Sequence, residues 1–174
     1  MQNKPLHKSY EKQIFFIRHG HAHQGHNGDP DLRALSEKGK LQALESAEFL
    51  ARAIDPDRLQ TIDLYSSPKL RCLETMAPIS DKLGVKLLQT PLLTETHYDE
   101  STSAFIGRIQ EFIARWLRSS ASTAIACTHS DVIPEAVRLM TRIDIHGVKN
   151  AGIYEIGTTS GKSELVSQWV GKLA

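Results

Sequence analysis

Cysteine is scarce in this 174-residue chain, with only Cys72 and Cys127 present. Two cysteines cannot build the disulfide framework of a small secreted scaffold, and their spacing is not that of paired metal ligands. Both are expected as reduced, buried residues. Long apolar runs are missing as well. None exceeds four residues, as in Ile14 to Ile17, far short of the ~20 that a membrane-spanning helix needs. The polar start from Met1 to Tyr10 lacks the apolar stretch of a signal peptide, so the sequence predicts a cytoplasmic protein with no membrane partner. Charge of one sign is also absent. Twenty-one Lys and Arg stand against 20 Asp and Glu, a formal net of +1, which leaves no basic excess to displace counterions from a nucleic-acid backbone. Any bound anion must be met by local charge. With 40% hydrophobic and 24% charged residues and no repeat, the composition excludes disordered and collagen-like classes and fits one globular domain over residues 1–174. Residues 1–12 read as a loose N-terminal arm.

What is present alternates between strand and helix. Gln13 to Ile17 is a short β-rich run of the kind buried on both faces of a parallel sheet. A glycine- and histidine-rich loop follows, and then Ser36-Glu37-Lys38-Gly39 opens a helix running to Asp55-Pro56. The pattern repeats with a strand at Thr61 to Tyr65, a helix opened by Pro68 and closed by Gly84, and a strand at Val85 to Leu88. The apolar stripe from Phe105 to Leu117 predicts an amphipathic helix, and Thr123 to Cys127 a strand. A helix around Pro134 to Met140 and two strands, Ile153 to Ile156 and Glu164 to Val170, complete the chain. Such alternation predicts an α/β layered fold around a mainly parallel sheet, with ligands bound beyond the carboxyl ends of the strands.

Polar residues of unusual kinds gather just past three of those strands: Arg18-His19-Gly20, Ser66-Ser67-Pro68-Lys69-Leu70-Arg71, and Thr128-His129-Ser130. In a parallel sheet all three lie on one edge. Two guanidinium groups and two imidazoles in one pocket need a compensating anion. A phosphoryl group fits them. Arginine forks match its oxygens, and a neutral imidazole supplies a nucleophilic nitrogen.

These residues carry a resemblance. Phe16-Ile17-Arg18-His19-Gly20, then Leu35-Ser36-Glu37-Lys38-Gly39, then Tyr65-Ser66-Ser67-Pro68-Lys69-Leu70-Arg71-Cys72-Leu73-Glu74-Thr75, and finally His129, together resemble the histidine phosphatase superfamily, the phosphoglycerate-mutase-like proteins. The resemblance extends from about Ile14 to about Ile156. It implies a three-layer α/β/α sandwich and a reaction through a phosphohistidine intermediate without metal or organic cofactor. By that resemblance His19 is the nucleophile, Arg18 and Arg71 bind phosphate, and His129, in charged form, hydrogen-bonds the phosphoryl group. Glu95 stands where the family's proton donor is expected, after the third strand. The implied substrate is a phosphorylated small molecule, such as a phosphate monoester, or a phosphoprotein carrying phosphohistidine, as in the compact phosphohistidine phosphatases. The two arginines should keep His19 deprotonated near neutrality, within a bell-shaped pH profile.

The chain also departs from the family's pattern. Thr96-His97-Tyr98-Asp99-Glu100 follows Glu95 where many relatives continue with glycine and an aromatic residue, so Asp99 and Glu100 are alternative proton donors. Ser130-Asp131 follows His129 in place of the common glycine. No arginine follows Arg-His-Gly in the manner of the secreted acid-phosphatase branch, which favours the compact branch. Two other readings compete. His19 and His21, with His23 and His26 nearby, could form a metal-dependent hydrolase site, but Arg18 and Arg71 would repel a cation. A non-catalytic phosphate-binding or sensor module would retain the pocket without turnover.

Overall fold

A computed structural model describes residues 9–24 and 29–173. The run expected as the first strand spans Lys12–Arg18 (β1), and its four apolar residues divide between the two faces of the sheet, as period-2 alternation requires. Ile14 and Phe16 enter one core cluster and Phe15 and Ile17 the other. Strand Thr123–Thr128 (β4) divides in the same way, with Ala124 and Ala126 on one side and Ile125 and Cys127 on the other. Six strands form one sheet in the order β3-β2-β4-β1-β5-β6, where β2 is Ile62–Ser66, β3 Leu87–Gln89, β5 Ile153–Thr159 and β6 Lys162–Trp169. The first four in that order run parallel, while β5 and β6 are antiparallel additions at one edge. The β5–β6 hairpin turns through Ser160 at φ 50° and Gly161 at φ 73°, the pair of positive angles that a two-residue connection favours.

Helices Glu37–Ala53 (α1) and Leu70–Leu83 (α2) cover the face bearing Phe15 and Ile17. Helices Thr102–Arg118 (α3) and Val132–Thr141 (α4) cover the other, where Phe112 packs edge-on against Phe16 at 6.3 Å and Tyr65 at 5.3 Å between ring centroids. This is the α/β/α sandwich expected. Among the described residues no helix is long and apolar enough to cross a membrane. Both cysteines are buried free thiols, and burial pushes the Cys127 thiol up.

Several boundaries differ from the sequence reading for local reasons. The helix opened by Pro68 begins two residues later, at Leu70, and ends at Gly84 in the left-handed conformation (φ 67°) with its N–H on the Ser80 carbonyl. The third strand forms at Leu87–Gln89 because its pairing partners are Leu64, Tyr65 and Ser66 of β2. Of the expected loose arm, residues 1–8 lie outside the described residues, and its end is held in the fold. Tyr10 is buried against Gly157, its hydroxyl donates to Glu164 at 2.7 Å, and the Glu11 N–H bonds the Thr158 carbonyl at 3.0 Å.

One contact fixes how α1 meets the loop after β1. A Cβ on Gly39 would stand 2.0 Å from the His21 carbonyl oxygen, and one on Gly20 would stand 2.7 Å from the Gly39 oxygen. Two glycines therefore let the helix start touch the backbone of the Arg-His-Gly loop. Helix propensity alone says that Gly39→Ala should stabilise α1 by about 1 kcal/mol. The opposite is expected, a loss of about 2 kcal/mol in urea unfolding from overpacking against backbone that cannot rotate away.

Candidate active site

Three parallel strands deliver the key residues to one edge. β1 ends at Arg18, β2 at Ser66 and β4 at Thr128, with Arg18 in register with Thr128 and Ser66 with Cys127. Past those ends the backbones stay tied, His19 N–H to the Thr128 carbonyl and Ser67 N–H to the Cys127 carbonyl, each at 3.0 Å. The first turn of α2 adds Arg71. A cleft of ≈ 240 Å³ opens here, lined by His19, His129, Arg18, Arg33, Glu95 and Asn150 among others.

The two imidazoles lie with ring centroids 5.3 Å apart. His19 Nδ1 is 2.8 Å from the Gly20 carbonyl oxygen. A carbonyl can only accept, so Nδ1 carries the proton and Nε2 keeps its lone pair. Burial pushes the His19 pKa down to about 3, and the charges of Arg71, Arg18 and Arg33 push the same way. His129 Nε2 lies 2.9 Å from the Ser67 hydroxyl, and its Nδ1 lies 3.4 Å from Arg71 Nη2 and 3.6 Å from Glu95 Oε2. Burial, then His19, Arg71, Lys69 and Arg108, lower its pKa to about 2. The charged form of His129 expected above is that of the phosphoryl-bound site, and the open cleft holds the ring in its other state. Both rings are neutral there, since a buried imidazole beside fixed cations refuses a proton.

Arg71 is fully buried, bonded to the Pro30 carbonyl and to the Glu95 carboxylate. Arg18 donates from Nη1 to the Val148 carbonyl at 2.7 Å. The Nε atoms of Arg18, Arg33 and Arg71 are all buried and find no hydrogen-bond partner among the described residues. Three guanidinium groups with a free donor each are suited to an incoming oxyanion.

The structure separates the three candidate proton donors. Glu95 lines the cleft and touches both Arg71 and His129. Asp99 is exposed, and Glu100 turns away into a two-pronged pair with Arg108 (2.7 and 3.0 Å), which holds its carboxyl below the usual range. His21 reaches the cleft wall, but its Nδ1 is 2.8 Å from the hydroxyl of Ser36, the residue that caps α1. His23 is exposed, and His26 lies outside the described residues. Among the described residues, no group of three His, Cys, Asp or Glu side chains is placed to hold a metal ion. Sequence reasoning missed Arg33 and Asn150. Asn150 donates to the His19 carbonyl at 3.3 Å from a loop with no strand-end signature. Arg33 stands two residues before the Leu35-Ser36 motif, a proximity that could have flagged it.

Comparison with known proteins places this geometry in context. The sequence profile of the histidine phosphatase superfamily (branch 1) matches residues 14–103, just over half of the chain. An 8-oxo-(d)GTP phosphatase of Mycolicibacterium smegmatis is 26% identical over 158 residues, covering 87% of this chain and 46% of that protein. The chain thus spans about half the length of that relative. Among solved structures, the protein histidine phosphatase SixA complexed with tungstate superimposes with a TM-score of 0.73 at 18% identity, covering 90% of this chain and 95% of its own. A mycobacterial glucosyl-3-phosphoglycerate phosphatase does so with a TM-score of 0.74 at 17% identity, covering 89% and 97%. At such identities the superpositions speak for the fold alone.

The lowered imidazole pKa values have a thermodynamic consequence independent of any reaction. Unfolded histidines titrate near ~6.5 and take up protons that the folded ones refuse. Stability is then complete above that pH and lost as pH falls from about 6.5 toward about 3. Chemical denaturation from pH 7 to pH 4 should show this fall, less steep in His19→Asn. Equal slopes for the two proteins would contradict the assignment.

Proposed function

Because this chain belongs to the histidine phosphatase superfamily, we propose that it hydrolyses phosphate monoesters of alcohols through a phosphohistidine on His19. The observation that carries this reading is the position of Glu95, whose carboxylate sits on Arg71 and 3.6 Å from His129 in the cleft. A phosphohistidine substrate leaves as an imidazole and needs little acid, whereas an alkoxide needs a proton. In the proposed sequence, His19 Nε2 attacks phosphorus in line while the ester P–O bond breaks. Arg18, Arg33 and Arg71 receive the equatorial oxygens, where charge is carried in the transition state. The incoming phosphoryl group competes with Glu95 for Arg71. Released from Arg71 beside the leaving oxygen, the Glu95 carboxylate takes the proton carried by the phosphate monoanion of the substrate and passes it to that oxygen. Water then attacks the phosphohistidine and returns a proton to Glu95, freeing inorganic phosphate and His19.

A second reading, hydrolysis of phosphohistidine on a protein, is favoured by the exposure of Gln24 and Ser130 at the rim, where the cleft is open among the described residues. Substrate comparison separates the two. Wild type and Glu95→Gln are assayed on an aryl phosphate, an alkyl phosphate and a phosphohistidine peptide. Loss of the alkyl activity by about 10²-fold or more, with the aryl ester nearly unchanged, is expected for proton donation to a poor leaving group. No selective loss, with phosphohistidine much the best substrate, would overturn the monoester reading in favour of the second. Binding of phosphate with no turnover of any of the three would point to a sensor module.

Arg33 supplies a separate test of the clamp. Arg33→Ala should raise KM for aryl and alkyl esters alike by about tenfold or more, the scale of a lost hydrogen bond to a charged group. An unchanged KM would remove Arg33 from the site.

A further inference from the structure

Two departures from the family's pattern, Thr96 after Glu95 and the Ser130-Asp131 pair after His129, meet through Asp131. Asp131 Oδ2 accepts hydrogen bonds from both the backbone N–H and the hydroxyl of Thr96, each at 2.8 Å. Its other oxygen accepts from Val132 N–H at 3.0 Å, at the start of α4. On the opposite side, Arg108 Nη2 donates to the carbonyl of Glu95 at 3.1 Å, and Nη1 donates to that of Leu92 at 3.0 Å. Arg108 is itself fixed by its two-pronged pair with Glu100.

The backbone on either side of the Glu95–Thr96 peptide is therefore gripped from α3 by Arg108 and from the His129 loop by Asp131. Glycine at position 96 would offer no hydroxyl, and an exposed loop tied by backbone alone would leave the Glu95 carboxyl free to wander. We propose that Asp131, acting through Thr96, is a positioning residue that holds Glu95 at a fixed place relative to His129. This rests on the reading of Glu95 as proton donor. The tie converts a carboxylate on an otherwise solvent-facing segment into one with a defined reach toward the leaving oxygen. Small displacements of such a group weaken proton transfer while leaving phosphate binding intact.

Asp131 also starts α4, and its charge acts on Arg18, so a simple loss of activity would not separate positioning from support. The leaving group separates them. Asp131→Asn can keep the cap on Val132 but must turn an amide N–H toward the Thr96 N–H. Thr96→Val leaves Asp131 and the cap untouched and deletes only the hydroxyl bond. With an alkyl phosphate, Asp131→Asn is expected to lower kcat about tenfold and Thr96→Val about threefold, as expected when a proton donor is displaced. With an aryl phosphate both should stay near wild type, because that leaving group needs no acid. Both effects should vanish in a Glu95→Gln background, where no donor remains to be positioned.

Equal losses on the two esters, or full alkyl activity in both variants, would overturn the proposal while a selective defect of Glu95→Gln left the function reading standing. If Glu95→Gln itself shows no preference between the esters, both fall together. Should Asp131→Asn fail to fold, Thr96→Val alone decides the outcome.

Discussion

Everything at this site follows from the difficulty of keeping positive charge away from water. Arg71 is fully buried at the start of α2, and a buried guanidinium is tolerable only when its charge and its donors are met. Glu95 meets part of that need in the open cleft, yet buried Nε donors on three arginines are left over. The same charge, added to burial, keeps His19 and His129 neutral. One electrostatic circumstance thus attracts an oxyanion and leaves the imidazole able to attack it. A phosphoryl group arriving in the cleft would offset the arginine charge and favour a proton on His129, so that ring can be neutral before binding and charged after it.

The rest of the fold holds that charge in register. Parallel pairing of β1, β2 and β4 sets Arg18, Ser66 and Thr128 at one level, and the buried alternation of Ile14, Phe15, Phe16 and Ile17 prevents a one-residue slip, which would exchange the two core faces. Gly20 serves twice. Its carbonyl fixes the proton on His19 Nδ1, and its N–H donates to the Thr75 hydroxyl of α2 at 3.0 Å. The Ser67 hydroxyl, which can donate or accept, holds His129 Nε2 in place at 2.9 Å. The orientation of the His19 ring thus depends on a loop whose glycine contacts with α1 lie outside the cleft.

Much of this was legible in the sequence, and the exceptions have physical causes. The doubly buried strands announce themselves as short apolar runs, and the placement of Arg18, His19, Arg71 and His129 just past strand ends is enough to bring them together on one sheet edge. Arg33 escaped because it sits in a polar loop whose path no periodicity predicts, and Asn150 because its role is to bond a backbone carbonyl. The choice among Glu95, Asp99 and Glu100 depended on which direction a loop turns. Pairing with Arg108, inside the 17-residue helix α3 and far from any strand end, sets the direction of Glu100. The neutral state of His129 in the open cleft is not legible for a similar reason, because the sequence shows which charges are present but not how completely they are shielded from water.

The central claim is that His19 carries the phosphoryl group between substrate and water. It is tested most directly by quenching the enzyme in alkali during turnover of a radiolabelled phosphate monoester and mapping the labelled peptide. The account predicts label on His19 that is stable to alkali, released by acid and absent from His19→Ala. Label on Ser67 or another hydroxyl that survives acid, or turnover by His19→Ala at the wild-type rate, would contradict it.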